Sequence, residues 1–515
     1  MSSPSLNSES SDVICHDCFS TKSRTGLISV MLGMTVCFST LWRFPYQVAS
    51  FGGAAYLGIY FILAALFVYP ALTAEWGLGR LTGRGPDGAY NQVRFPGGKV
   101  VSILLFLIVL AVGSYFVVWI GWILRYAFSA MFDSRLTALT TQSTEYFETT
   151  VAADPVSQFI FTAIVILAIA VPLLHGTRRI EQISKFVVPI FYGSVSFLTI
   201  LVFLQPGVFS NVIGYLTTIN ITEQVTSYTF VAALGQAFFS LCLGGSYMVL
   251  YASYMKRKSA HDIPVNAGLT LVGNTVASLI SVLLVFGVIS LAGIGMNNAE
   301  TFGPGLFFGV IPEVFKSLGI GVSGIGMSIF FLMFFFAAYL PLTAIFEVTI
   351  VYLVDNVGIS RKQAYLVIGF LTMVLAIPSM LSPLDGGFLY NLDLFVGATG
   401  SVIGSIIAII AFGWFVPKKM ALKEVNTASR FKLGNKWHFW VKFVQPFFLI
   451  FVILYAFSDI IVGTFGLNAI PGDAYVFYTL ISSVAPWLAL VLTIFIFLLV
   501  LYDQRRTRRV ETSAI

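Results

Sequence analysis

Charge is what this sequence has least of: Asp, Glu, Lys and Arg make up 10% of its 515 residues, where soluble domains carry about 25%. That shortage excludes an ordinary water-soluble surface. Cysteine and histidine are also scarce, at 4 each, so neither a disulfide framework nor a redox pair is expected. The run Cys15-His16-Asp17-Cys18 has no second ligand pair at zinc spacing. There is no Walker-type phosphate loop and no His-Glu-x-x-His pair, so ATP-driven pumping and zinc proteolysis lack support. No catalytic constellation appears, and the chain reads as a non-enzyme without an organic cofactor. The first 23 residues are Ser-rich and polar, with no apolar core of a signal peptide, and read as a disordered cytoplasmic tail.

What fills the chain is apolar: 57% hydrophobic and 15% aromatic residues. Long continuous runs begin near Gly26, Gly52, Val100, Gln158, Glu181, Thr229, Gly268, Gly326, Ala364, Leu392, Trp440 and Ala474. Each is long enough to cross a hydrocarbon layer about 30 Å thick as a helix. Twelve spans are therefore predicted in an all-α membrane protein. A transmembrane barrel is excluded, because the runs do not alternate. The net charge of +6 reflects topology rather than nucleic-acid binding. Apart from Arg43, Arg125, Arg135 and Lys316, every Lys and Arg falls on one side of the predicted spans, Arg80, Lys256, Lys418, Lys419 and Arg505 among them. Positive charge marks the cytoplasmic face, which predicts a multi-pass plasma-membrane protein with both termini inside. The bilayer and a small-molecule substrate are the expected partners, and oligomeric state is not legible. The Asn220-Ile221-Thr222 sequon falls in a predicted outer loop.

Two spans carry small, hydroxyl and helix-breaking residues at membrane depth: Gly33 to Pro45 in the first and Gly235 to Gly245 in the sixth. Broken helices at corresponding positions point to an inverted-repeat transporter with its site near the midplane. Close packing of small residues is the alternative left open by spacing alone. The partly apolar stretch Pro304 to Leu318 is long enough for a short helix over the outer mouth.

The stretch Thr40-Leu41-Trp42-Arg43-Phe44-Pro45-Tyr46, then Gly52-Gly53-Ala54 and Glu75-Trp76-Gly77-Leu78-Gly79-Arg80, resembles the start of the neurotransmitter:sodium symporter family. Gly235-Gln236-Ala237-Phe238-Phe239-Ser240-Leu241, followed by Tyr251-Ala252-Ser253-Tyr254, is similar to its sixth span, and Gly303 to Phe315 to its outer lid. The resemblance covers about Arg24 to Arg506. It implies a five-plus-five inverted repeat with broken helices 1 and 6: a core over 24–415, two accessory helices over 416–502 and a basic tail over 503–515. It also implies sodium-driven uptake of an amino acid or related amine. A proton- or single-sodium-coupled transporter of another small amine, and a substrate-sensing receptor with little transport, remain as alternatives.

Carried over residue by residue, the resemblance assigns a first sodium site to Thr35, Thr40, Ser240 and Asn274, with Thr40 where the family usually has Asn. A second sodium site would rest on carbonyls of Gly33, Val36 and Ala337. Its two side-chain ligands correspond to Leu340 and Pro341, so this site is expected to be weak or absent. Chloride would be held by Tyr60, Gln236, Ser240, Asn274 and Ser278. Substrate would lie among Cys37, Phe38, Ser39, Phe116, Phe239, Ser240 and Cys242. The family's phenol falls at Phe116, with Tyr115 reaching it only by a one-residue helix shift. Arg43 and Asp393 match an outer gate. At the inner side the family's Arg and Trp match Cys18 and Thr21, leaving Arg24 as a substitute partner for Asp355. Glu75 is expected to bond unwound backbone, and the role of Glu347 stays open.

Overall fold

A continuous apolar run in hydrocarbon leaves backbone amides no partner but each other, and helix is the local answer. A computed structural model of the chain describes residues 24–36, 39–138, 142–175, 177–218, 225, 227–255, 262–291, 293, 305–317, 323–384 and 387–464. Both predicted tails, the twelfth span from Ala474, the Asn220 sequon, Cys37 and Phe38 lie outside the described residues. Among the described residues there is no strand.

The first span is a bent pair, α1 (Arg24–Thr35) and α2 (Ser39–Ser50), with 58° between the halves. Next come α3 (Ala54–Thr82), the short α4 (Pro86–Gln92) and the long α5 (Gly98–Phe132). They are followed by α6 (Pro155–His175), α7 (Thr177–Phe203) and the surface helix α8 (Val208–Thr217). The sixth span is two short helices, α9 (Ser227–Ser240) and α10 (Tyr247–Ser253). The remainder is α11 (Ile263–Leu291), α12 (Gly305–Ser317), α13 (Ser323–Val357), α14 (Arg361–Leu381), α15 (Phe388–Phe415), α16 (Lys418–Asn426) and α17 (Asn435–Leu454). Eleven of the predicted spans are thus described, and the helix expected around Pro304 to Leu318 is α12.

The helices pack in two groups. One joins α5, α6, α13 and α14, with α5 lying along α13; the other gathers the bent pair, α3, α10 and α11. The break between α9 and α10 is docked on α15 at backbone level. Gly244 has φ +77°, and a Cβ there would overlap the carbonyl of Ser401, while a Cβ on Gly404 would overlap the carbonyl of Gly244. Glycine is required at both positions, by conformation at the first and by close approach at both.

These contacts generate a prediction. Gly244→Ala combines left-handed strain with overpacking and is expected to destabilise the protein by about 2–4 kcal/mol. Gly207→Ala, at φ +82° but with open space around it, is expected to cost only about 1–2 kcal/mol. Thermal unfolding of the two purified variants checks the difference.

Candidate functional site

The α2 segment opens with a π-helical turn, Ser39–Arg43, and α15 contains another, Asp393–Thr399. Wide turns re-aim the side chains at their ends, and here they bring Arg43 and Asp393 together. Arg43 Nη1 lies 3.2 Å from Oδ1 and 3.1 Å from Oδ2 of Asp393, both residues being buried. The guanidinium sits 4.8 Å from the Phe239 ring centroid, a cation over an aromatic face. The Tyr115 hydroxyl donates to Asp393 Oδ1 at 3.0 Å.

Tyr115, not Phe116, therefore brings its phenol to this cluster, a correction to the sequence expectation. Gly397 of α15 faces Tyr115, and a Cβ there would overlap the hydroxyl. Both rings pack edge-on against Trp119, with centroids 5.0 Å from it for Tyr115 and 6.0 Å for Phe116.

One turn along α9, Asn274 Nδ2 donates to Ser240 Oγ at 3.2 Å, and Ser278 Oγ donates to the Asn274 carbonyl at 2.9 Å. Tyr60 lies beside Ser240, Asn274 and Thr275. Gln236 Nε2 donates to the Ser39 carbonyl across the two breaks at 3.4 Å. Among the described residues three buried atoms in this cluster have no hydrogen-bond partner: Tyr60 Oη, Gln236 Oε1 and Asn274 Oδ1. The first is a donor, which suits an anion; the other two are oxygen acceptors, which suit a hard cation. Thr35 is back-bonded to the Leu32 carbonyl at 3.2 Å and Thr40 is fully buried. Cys242, at φ +52°, donates its thiol to the Met34 carbonyl at 3.1 Å.

At the position matching a second sodium site the surroundings are largely apolar. A Cβ built on Gly33 would lie 2.7 Å from Leu340 Cδ1, 3.2 Å from Ser184 Oγ and 3.4 Å from Val188. The Ser184 hydroxyl donates to the Ile180 carbonyl at 2.8 Å, and the leucine methyl packs against the glycine.

Helix α12 lies against the Ser39–Arg43 turn. Phe308 stacks on Phe147 with centroids 5.0 Å apart, and Glu313 accepts from the amide and hydroxyl of Ser143 and from Lys316. In the same loop Tyr146 donates to Asp133 at 2.9 Å. Hydrogen bonds from Arg135 hold the Asp133 carboxyl down to about 2, so this clasp stays ionised until strong acid.

The sequence matches the profile of the sodium:neurotransmitter symporter family over residues 19–158 and 150–507. This chain belongs to that family. It is 26% identical over 464 residues to an uncharacterized sodium-dependent transporter of Methanocaldococcus jannaschii, covering 86% of this chain and 91% of that one. It is 23% identical to the sodium-dependent dopamine transporter of Bos taurus, covering 83% of this chain and 67% of the relative. The crystal structure of MhsT in complex with L-phenylalanine superposes with a TM-score of 0.77 at 26% identity, covering 85% of this chain and 99% of that chain. The protein is accordingly a sodium-dependent transporter rather than an enzyme. Its fold is the family's twelve-helix inverted repeat with broken helices 1 and 6.

The basic side of this symporter departs from the sequence expectation. Arg24 does not substitute at Asp355; its Nε donates to Asn266 Oδ1 at 2.9 Å. On this side Glu347 is fully buried in α13. Its carboxylate accepts from Tyr254 at 2.9 Å and pairs with Arg361, whose Nε donates to the Leu173 carbonyl at 2.7 Å. An acid at membrane depth was the available signal, but its two partners come from the end of α10 and the start of α14.

Removing either partner of the buried Arg43 and Asp393 pair strands a charge. Asp393→Ala or Arg43→Ala is expected to lower stability by about 3–5 kcal/mol, while the double variant Arg43→Met, Asp393→Leu recovers most of that loss. Thermal unfolding of the three variants tests this.

Proposed function

We propose that this symporter carries a zwitterionic amino acid inward across the plasma membrane, coupled to sodium and dependent on chloride. The observation that carries the reading is the charge of the site. Two broken helices meet at a pocket whose facing acid, Asp393, is already bonded to Arg43 and Tyr115. Residues 36–40, Val-Cys-Phe-Ser-Thr, add no carboxylate. A bare amine would enter with its charge unmatched, whereas an amino acid brings both signs and finds amides and carbonyls at the helix ends. The L-phenylalanine bound by the similar MhsT supports this class of substrate.

In this reading Ser39, Phe239, Ser240, Cys242 and Tyr115 line the pocket with Cys37 and Phe38. Thr35, Thr40, Ser240 and Asn274 hold sodium, and Tyr60, Gln236, Ser240, Asn274 and Ser278 hold chloride. The orphaned donor and acceptors in that one cluster support a co-bound anion and cation. Leu340 over Gly33 favours a single sodium per cycle. Arg43 and Asp393 form the outer gate beneath α12, with Tyr254, Glu347 and Arg361 as the inner closure. The basic face, from Lys418 to Lys436, is cytoplasmic together with both termini. Residues 24–415 form the transport core, and 416–502 add the accessory helices.

The test is uptake of a labelled amino-acid mixture into proteoliposomes, with sodium, chloride and proton gradients imposed separately. Sodium-driven accumulation that falls when chloride is replaced by gluconate is expected. Accumulation driven by protons alone would overturn the coupling, and binding without counterflow would favour a receptor. Ser278→Asp is expected to remove chloride dependence, because a fixed carboxylate takes the anion's place; the gluconate comparison reads it. The sodium Hill coefficient is expected to be near one, and a value near two would overturn the single-sodium reading.

A further inference from the structure

Behind the break between α9 and α10 lies a second polar cluster, separate from the ion and substrate cluster. Glu75 of α3 is fully buried. Its Oε1 accepts from the Gly244 amide at 3.0 Å, in the unwound segment, and its Oε2 has no hydrogen-bond partner. Ser405 of α15 faces the carboxyl, and Ser246 faces the phenol of Tyr90, which itself lies beside Glu75. The hydroxyls of Ser246 and Ser405 are also without partners, and both residues are buried, at 2% and 0% exposure.

Among the described residues Glu75 makes no ion pair. Of the charged groups on elements packed around it, Arg80 is paired with Glu424 of α16, Asp393 of α15 with Arg43, and Asp87 of α4 accepts from Asn91. Lys442 of α17 lies over the Trp414 and Phe443 rings. Helix α11 carries no charged residue, and Tyr251 of α10 faces Glu347. Tyr90 is the titratable neighbour.

An ionised carboxylate buried without a cation is among the most expensive states a protein interior can hold. Adding one proton removes the charge and converts the orphaned Oε2 from an acceptor into a donor. We propose that Glu75 is a proton-binding site: a neutral carboxylic acid that accepts from the Gly244 amide through one oxygen and donates to the Ser405 hydroxyl through the other. The proton thereby clips the helix break to α15. When the break separates from α3 and α15 and water enters, the proton passes to that water and a solvated carboxylate remains. This inference does not depend on which substrate or co-ion is carried.

The test is infrared difference spectroscopy on the full-length protein in lipid nanodiscs at neutral pH. A carbonyl stretch of a protonated carboxyl is expected in the wild type. It should be absent from Glu75→Gln and shifted in Ser405→Ala, which loses the acceptor. Because glutamine is a neutral isostere, Glu75→Gln is also expected to keep its thermal midpoint from mildly acidic to neutral pH, where the wild type loses stability as the pH rises because only the folded state holds the proton there. A protonated-carboxyl band unchanged by Glu75→Gln overturns the proposal. So does an ionised carboxylate band that Glu75→Gln removes.

Discussion

An unwound stretch of backbone at hydrocarbon depth must find partners inside the protein, and the arrangement of this symporter follows from how it does so. The 241–246 segment is the clearest case. Leu243 N returns to the Phe238 carbonyl and Gly244 N goes to Glu75, while the Cys242 thiol reaches the Met34 carbonyl at the end of α1. Gln236 bonds across to Ser39. The two breaks are therefore bonded to one another as well as to their surroundings. Peptide groups and polar side chains thus meet where the two helices break. The glycines at 244 and 404 serve the same end, since only bare backbone lets α15 approach the break closely enough to support it.

The distribution of charge obeys a related rule. Arg43 with Asp393, Glu347 with Arg361, and Arg80 with Glu424 are pairs of opposite charge joined by further hydrogen bonds. Buried pairs of this kind add little net stability over apolar replacements, because desolvation offsets attraction. Their value lies in geometry, since each satisfies its groups in one arrangement of the helices and in few others. The orphaned atoms of Tyr60, Gln236 and Asn274 stand apart from this matching. They are concentrated where the proposed ions bind, and a buried polar group without a partner is tolerable when the functional state supplies one.

The spans were legible because runs of apolar residues are a property of local sequence, and the bent first and split sixth helices announced themselves through Gly, Ser and Pro at depth. The pairing of Arg43 with Asp393 came through resemblance rather than spacing, since 350 residues separate them. Where the sequence reading failed, the deciding contact lay across helices. Tyr115 and Phe116 are adjacent, and the room that Gly397 of α15 leaves for the Tyr115 hydroxyl beside Asp393 is a contact across helices that local sequence does not show. Arg24 was matched to Asp355 by charge, yet Asn266 is the group within reach. Glu347 was visible as an acid at depth, but its partners Tyr254 and Arg361, the latter held by the Leu173 carbonyl, converge only once α6, α10, α13 and α14 pack.

Both ends of the proposed pathway are bonded shut in this structure, and that has an energetic consequence for the transport cycle. Arg43 with Asp393 joins α2 to α15, while Tyr254 with Glu347 joins the end of α10 to α13. Suppose that opening either end forfeits about 3 kcal/mol of buried charged contacts, the low end for breaking such a pair. Each end is then open about one part in 10² of the time, since about 1.4 kcal/mol is tenfold. Independent opening would leave both ends open about one part in 10⁴. Mutual exclusion needs more than this product, because even a rare continuous path dissipates an ion gradient. In the proposed cycle the bonds between the two breaks would supply the coupling: Gln236 with Ser39 and Cys242 with Met34 tie one break to the other, so a substrate that binds one arrangement of the breaks more tightly would favour one closed end over the other.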